Sequence, residues 1–344
     1  MKRKEFKIPT QTDPVFIIAE LSANHNNNFD LAVKTIEAMA ESGADAVKIQ
    51  TYTADSLTLD VDNEFFGPRK DGLWKGKRPF EIFQEGSLPY EWQPKLKTIA
   101  ENLGLVFFSS PFDLEGVEFL ERVGVELYKV ASPEINDVPL IRKISKTGKP
   151  MILSTGMADE EDIRLAIETI QNTGKNEFAI LKCTSQYPAK FSDANLKTIP
   201  DMIERFQCTV GVSDHSEGYL VPTVAVSLGA KIVEKHFILD RSLGGIDSAF
   251  SMEQKDFAIM VKSVRDAEQA LGHVEYKVSS EDKLRRRSLF VVNDIEAGEL
   301  FTEKNIRSIR PGHGLEPSLY DKVIGKKANT KLQKGTPLSL DLLN

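Results

Sequence analysis

Eight short β-rich runs alternate with helical segments along most of this chain, and that alternation restricts the fold more than any other feature. The runs are VFIIAEL (15–21), AVKIQTY (46–52), LVFFSSP (105–111) and LYKVAS (127–132), then PMILSTG (150–156), FAILKCTS (178–185), TVGVSD (209–214) and KIVEKHFIL (231–239). They are too continuously apolar for a half-exposed sheet, so they read as parallel strands covered on both faces. Helical patterns such as FDLAVKTIEAMAESG (29–43) and DEEDIRLAIETIQNTG (159–174) lie between them. The second opens with acidic residues and stops at a glycine, as helix ends prefer. Strand–helix alternation repeated eight times predicts an α/β fold, a (β/α)8 TIM barrel. A doubly wound open sheet is the other architecture, but no Gly-rich nucleotide fingerprint follows the first strand.

The barrel is expected to occupy residues 1–272 and to finish with the helix SMEQKDFAIMVKSVRDAEQALG (251–272). Residues 273–288 are charged, polar and weakly periodic, and read as a linker. Residues 289–344 carry short apolar pieces broken by Gly, Pro and Asn. They read as a small turn-rich module, marginal by itself and expected to need a partner surface. The net charge of −7 argues against a nucleic-acid or anionic-membrane surface. Arg285-Arg286-Arg287 reads as a solvated face. The basic start MKRKEFKIPTQTDP has no apolar stretch of a signal peptide, and no apolar run approaches the roughly 18 residues of a membrane span. Two cysteines, Cys183 and Cys208, make no disulfide framework and fit a reducing cytosol. A cytoplasmic protein is expected.

In a barrel of this kind the active site lies at the C-terminal ends of the strands. Those ends are unusually polar here. Strand 1 ends in Glu20, followed by Ser22, Asn24 and His25; strand 2 offers Lys48 and Gln50, and strand 3 Ser109 and Ser110. Strand 4 carries Lys129 and Ser132 with Glu134 beyond, strand 5 Ser154, and strand 6 Lys182, Thr184 and Ser185. Strand 7 gives Ser213, Asp214 and His215, and strand 8 gives Glu234, Lys235 and His236. A single serine there is ordinarily a helix cap, and a single histidine a satisfied core residue. Convergence of so many charges on one mouth is costly without a ligand, because each unpaired buried ion costs several kcal/mol, on the order of 3–5. Lys48, Lys129 and Lys182 with nearby hydroxyls suit a small phosphorylated acid. His215 and His236 on adjacent strands can share one ion, and an imidazole–oxygen set without cysteine suits Mn2+, Mg2+, Co2+ or Zn2+.

At these residues the chain resembles the sialic acid synthase family, which condenses phosphoenolpyruvate (PEP) with an amino sugar. The likeness is nearly full length. It runs through FIIAELSANH (16–25), SGADAVKIQTYTADSLTL (42–59), FSSPF (108–112), YKVASPE (128–134), ILSTGM (152–157), LKCTSQYP (181–188), GVSDHS (211–216) and EKHF (234–237). RPGHGLEP (310–317) and GKKANTKLQKGTPL (325–338) are similar to the family's C-terminal antifreeze-like (SAF) domain. The resemblance implies that His215 and His236 ligate a divalent metal, Mn2+ or Mg2+ in the first place. It also implies that Lys129, Ser132, Ser154, Ser213, Ser185 and Tyr187 hold PEP. Gln50, Asp247 and Arg310 would hold the sugar, and Glu20, Glu134 and Lys48 would serve the chemistry, Glu134 as a proton carrier. It further implies a homodimer in which the small domain lends Arg310 to the partner's site.

Within the family, ELSANH (20–25), KIQTYTADSLT (48–58) and the stretch GLWKGKRPFEIFQEGSLPYEWQPKL (72–96) resemble the pseudaminic acid branch. Its acceptor is a diacetamido-trideoxyhexose, 2,4-diacetamido-2,4,6-trideoxy-L-altrose. RPGHG (310–314) and YPAK (187–190) depart from that branch. The alternative they leave is an N-acetylneuraminate or legionaminate synthase using N-acetylmannosamine or a related amino sugar. Outside the family two readings compete: a lysine Schiff-base aldolase using Lys129 or Lys182, and a structural or ice-binding protein built on the C-terminal module.

Overall fold

A computed structural model describes residues 6–174 and 176–344, so the basic stretch 1–5 lies outside the described residues. Eight parallel strands appear where the alternation places them. They are β1 (Phe16–Glu20), β2 (Ala46–Thr51), β3 (Val106–Pro111), β4 (Tyr128–Val130), β5 (Met151–Ser154), β6 (Phe178–Cys183), β7 (Thr209–Asp214) and β8 (Ile232–Ile238). Each pairs with the next in sequence, and β1 pairs with β8, which closes the barrel. The expectation of a (β/α)8 barrel is borne out.

Helices follow the strands with the caps their sequences offer. Asn28 accepts from Leu31 N–H at the head of Phe29–Glu41. Asp159 and Asp162 form a reciprocal capping box at the head of Glu160–Thr173. The β2–β3 connection departs from the simple alternation. It carries the helices Ala54–Leu57, Pro79–Gly86 and Gln93–Asn102, and between the first two runs a long irregular excursion, residues 58–78. The last barrel helix begins at Gln254, after a two-residue strand, Met252–Glu253, that pairs with β8.

Alternation along each strand divides its residues between two cores. Ile18, Ala46, Phe108, Leu127, Ile152, Ala179, Leu181 and Ile232 point inward and fill the barrel, with Phe6, Ile8 and Phe16 packed on them. Ile17, Val47, Val130, Leu153, Ile180 and Val233 point outward and meet the helices through residues such as Ile36, Leu120, Ile144 and Ile170. The barrel interior is therefore packed, and the polar residues lie one inward position further along the strands.

Residues 273–344 form a second compact unit. Its core is built from Leu289, Val291, Ile295, Phe301, Ile306 and Leu338, among others. Ser288–Val291 pairs antiparallel with Ile306–Ile309. The expected linker, residues 273–288, falls within this unit: Ser280–Leu284 is a short helix, and Gly312 N–H donates to the Leu284 carbonyl at 2.8 Å. Of the three arginines beside it, Arg285 pairs with Glu281 at 2.9 Å and Arg287 donates to the Ser308 carbonyl. Among the described residues no helix is long and apolar enough to cross a membrane.

Gly211 on β7 faces inward where the barrel is tightest. A Cβ there would lie 2.5 Å from the Ile232 carbonyl oxygen and 2.6 Å from Leu181 Cδ2. Gly211→Ala is expected to cost about 1–3 kcal/mol through overpacking. A fall in the urea midpoint with an unchanged slope would register it, and an unchanged midpoint would refute this account of the glycine.

Candidate active site

A row of four ionised side chains crosses the barrel just above the apolar filling. Lys48 Nζ lies 2.9 Å from Glu20 Oε2 and 3.3 Å from Glu234 Oε1, and Lys129 Nζ lies 3.8 Å from Glu234 Oε1. All four residues are between 1% and 3% exposed, so none is solvated. Strand register makes the row. Glu20 stands level with Lys48 on one side and with His236 on the other, and Glu234 stands level with Ser213. Hydrogen bonds extend it: Lys129 Nζ donates to Ser154 Oγ at 2.6 Å, and Ser213 Oγ donates to Glu234 Oε1 at 3.0 Å. Gln50 Nε2 donates to Glu20 at 2.8 Å and to Ser22 Oγ at 3.1 Å, and Ser22 in turn donates to Asp247. Ser22 holds this position with φ at 48°, a left-handed conformation that a non-glycine residue seldom adopts.

Burial opposes ionisation of Glu20, but His236 and Lys48, with hydrogen bonds from Lys48 and Gln50, override it. The carboxyl is held far below its usual range. Burial lowers Lys48 too, and the two carboxylates beside it more than compensate. Lys129 has no such compensation; burial leaves it below the usual lysine value, with Glu234 only partly offsetting. Burial also lowers His236, only partly offset by Glu20, whose Oε2 lies 3.2 Å from the ring's Nε2.

Above the row opens a cavity of about 260 Å³, reached by eleven of the residues expected at the site. Glu20, Lys48, Gln50, Lys129, Ser154 and Ser213 form its floor. Ser132, Tyr187, His215, His236 and Asp247 stand around it. The two imidazoles are 5.1 Å apart between ring centroids, and Phe250 packs edge-on against His236. Among the described residues no group of three or more His, Cys, Asp or Glu side chains is arranged to hold a metal ion. The chain offers two imidazoles instead. His215 has its Nδ1 against the Thr184 carbonyl at 3.1 Å, and His236 has a buried Nδ1 with no hydrogen-bond partner. That fits a cation whose remaining ligands are oxygens of substrate or water.

Several expected residues lie apart from the cavity lining. Lys182 points outward from β6, donates to the Cys183 carbonyl at 3.0 Å, and lines a separate cleft between the helices Glu160–Thr173 and Thr198–Phe206. Its expected contribution to the anion site is therefore corrected: the β6 residues that face inward are Ala179, Leu181 and Cys183. Lys235 also points away and ties Asp214 at 2.5 Å and the Ser216 carbonyl at 2.6 Å, bracing the segment that carries His215. His25 is a core residue, between the Gly86 carbonyl and the edge of Trp92. Arg310 belongs to the second unit. It is exposed there, with no side-chain hydrogen bond or ion pair among the described residues.

Ser185 and Glu134 flank the cavity rather than line it. Ser185 Oγ stands 3.7 Å from Cys183 Sγ. Gly156 leaves the space there: a Cβ on it would lie 2.2 Å from Ser185 Oγ and 3.0 Å from Ser132 Oγ, whose oxygen accepts from Gly156 N–H. Glu134 has a buried Oε2 with no partner, and burial pushes its carboxyl up to about 7 despite Lys129 nearby. Glu234, one of the polar residues at the end of strand 8, lines the cavity too, as does Cys183, which no sequence signal marks. Arg69 and Trp74, to which the sequence gives no site role, also line the cavity, carried there by the 58–78 excursion, which has no period to follow. Arg69 lies 5.7 Å over the Trp74 ring, and Trp74 Nε1 donates to the Ile246 carbonyl at 3.1 Å.

The fold and the polar pocket at the barrel mouth define an enzyme of the barrel class. The NeuB family model matches residues 35–276 and the SAF domain model residues 286–344, and the chain belongs to the NeuB family. It is 46% identical over 329 residues to a pseudaminic acid synthase of Campylobacter jejuni, covering 94% of this chain and 95% of that one. It is 42% identical to the pseudaminic acid synthase of Helicobacter pylori, covering 95% and 97%. Among solved structures, the N-acetylneuraminic acid synthetase of Leptospira borgpetersenii in complex with citrate aligns with a TM-score of 0.70 and 32% identity, over 79% of this chain and 90% of that one.

The raised carboxyl of Glu134 has a thermodynamic consequence. A folded-state value of about 7 against 4.5 means that the folded protein binds the extra proton between those pH values. Stability from this group is thus full below 4.5 and is lost as pH rises to about 7. Glu134→Gln is expected to flatten that decline, so melting temperatures of the two proteins should diverge from pH 4.5 to 7 and run parallel above it. Parallel curves throughout would refute the assignment.

Proposed function

We propose that the protein is a pseudaminic acid synthase. It would condense PEP with 2,4-diacetamido-2,4,6-trideoxy-L-altrose to give pseudaminic acid and phosphate for a surface glycan or flagellin. The observation that carries this reading is the buried charge row beside two imidazoles at the floor of one cavity, in a chain so close to synthases of that name.

Lys129 is the buried cation least committed to a carboxylate, so it is the group that meets the PEP carboxylate or phosphate, with Ser154 and Ser213 as hydroxyl donors. Ser132, Ser185 and Gly156 shape an anion cradle beside it, with Tyr187 over His215. Two carboxylates cancel two lysines in the row, so a doubly anionic substrate needs further positive charge. A divalent cation at His215 and His236, Mn2+ or Mg2+ first and Co2+ or Zn2+ also compatible, would supply it and polarise the acceptor's carbonyl. Glu20, Gln50 and Asp247 orient the acceptor's polar groups, and Glu134 is placed to carry a proton near neutral pH. C3 of PEP attacks the carbonyl carbon, water adds at C2, and phosphate leaves with C–O cleavage. Arg310 from a second copy in a homodimer would complete the site. Two free cysteines support a cytoplasmic location.

Phosphate release from PEP tests the reading, with the altrose acceptor, its legionaminate-type counterpart or N-acetylmannosamine, each with and without EDTA. Chelator-sensitive release with the altrose alone is expected. His215→Ala and His236→Ala should abolish it, and Lys129→Met should lower kcat/KM for PEP at least about 100-fold. Release with another sugar only would move the protein to a sister activity. Borohydride trapping of a lysine–pyruvate adduct would replace the mechanism with an aldolase.

A further inference from the structure

The cavity lining is of two chemical kinds, and only the polar one is used by the chemistry above. The apolar part is a wall built from two neighbouring loops. Leu57 closes the short helix Ala54–Leu57, Ile82 and Phe83 lie on Pro79–Gly86, and Phe112 follows β3. Tyr52 holds the wall together. Its ring sits edge-on to Phe83 at 6.0 Å and to Phe112 at 5.3 Å. Gly86 comes so close behind it that a Cβ would lie 2.9 Å from the Tyr52 hydroxyl. Leu57, Phe83 and Phe112 are only half-buried, because they face the cavity instead of another layer of core. Apart from the Tyr52 hydroxyl, these side chains offer no polar atom.

A wall of hydrocarbon offers no partner to a sugar's hydroxyls, each of which needs one when it leaves water. A hydroxyl pressed on it would lose its hydrogen bonds, whereas a methyl would gain from burial. The acceptor's carbonyl must lie among the charged groups to react, which leaves its far end for the apolar part of the lining. We propose that Leu57, Ile82, Phe83 and Phe112 form a specificity wall for the acceptor's apolar end, favouring a sugar that carries a methyl where its counterpart carries a hydroxymethyl. This rests on the synthase reading and adds the residues that choose the acceptor.

The test compares kcat/KM, by phosphate release from PEP with Mn2+ added, for two acceptors differing only at that carbon: the 2,4-diacetamido-2,4,6-trideoxy sugar and its 6-hydroxy counterpart. The full-length wild-type protein is expected to prefer the deoxy sugar about 10- to 100-fold. Leu57→Asn and Ile82→Thr should each lower that ratio about tenfold through the acceptor's KM, leaving the KM for PEP in place. Leu57 is half-buried at the end of a four-residue helix, so its variant keeps the test open if the Ile82 variant melts early. Equal use of both acceptors by the wild type, or an unchanged ratio in a folded Leu57→Asn protein, would overturn the wall while sparing the synthase reading. Turnover of neither acceptor would overturn both.

Discussion

The site is organised by the mutual neutralisation of Glu20, Lys48, Glu234 and Lys129 inside a closed barrel. None of the four could stay ionised there alone, since an uncompensated buried charge costs about 3–5 kcal/mol. Each therefore depends on strand register to bring its partner level, and the β1–β2 and β1–β8 pairings do that for Glu20. The remaining polar groups hang on this row. Lys129 donates to Ser154, Ser213 donates to Glu234, Gln50 links the row to Ser22 and Asp247, and His236 rests on Glu20.

Because the row is balanced, it can be assembled before any ligand arrives, and its donors are already aimed. Such preorganisation is what makes an electrostatic site effective. It also leaves the row with little net charge to offer a phosphorylated acid. The two histidines beside it, His236 with an unfilled nitrogen, and Lys129, whose carboxylate contact is the longest in the row, are where additional charge and ligand meet. The apolar part of the lining lets one cavity handle an anion and an apolar sugar terminus together.

Much of this was legible beforehand. The strands and most helices fall where hydrophobic runs and caps place them, and eleven expected residues reach one cavity. The error over the direction of the lysines has one cause. A strand buried on both faces is apolar throughout, so period-2 alternation is silent and the direction of a lysine cannot be told from its neighbours. Lys48 and Lys129 point in, whereas Lys182 and Lys235 point out, though all four sit in similar apolar runs. Arg69 and Trp74 were missed because the excursion that carries them has neither period nor length rule.

The sequence alone determined the barrel, because eight apolar runs separated by capped helical segments can close in few other ways. It also determined the chemistry of the strand ends, because residue types at those positions do not depend on packing. Only the tertiary structure decided which of those residues share a cavity, which lysine remains uncommitted and where the apolar wall stands. Those outcomes follow from inter-strand register and from the approach of distant loops, and neither is written in any local stretch of chain.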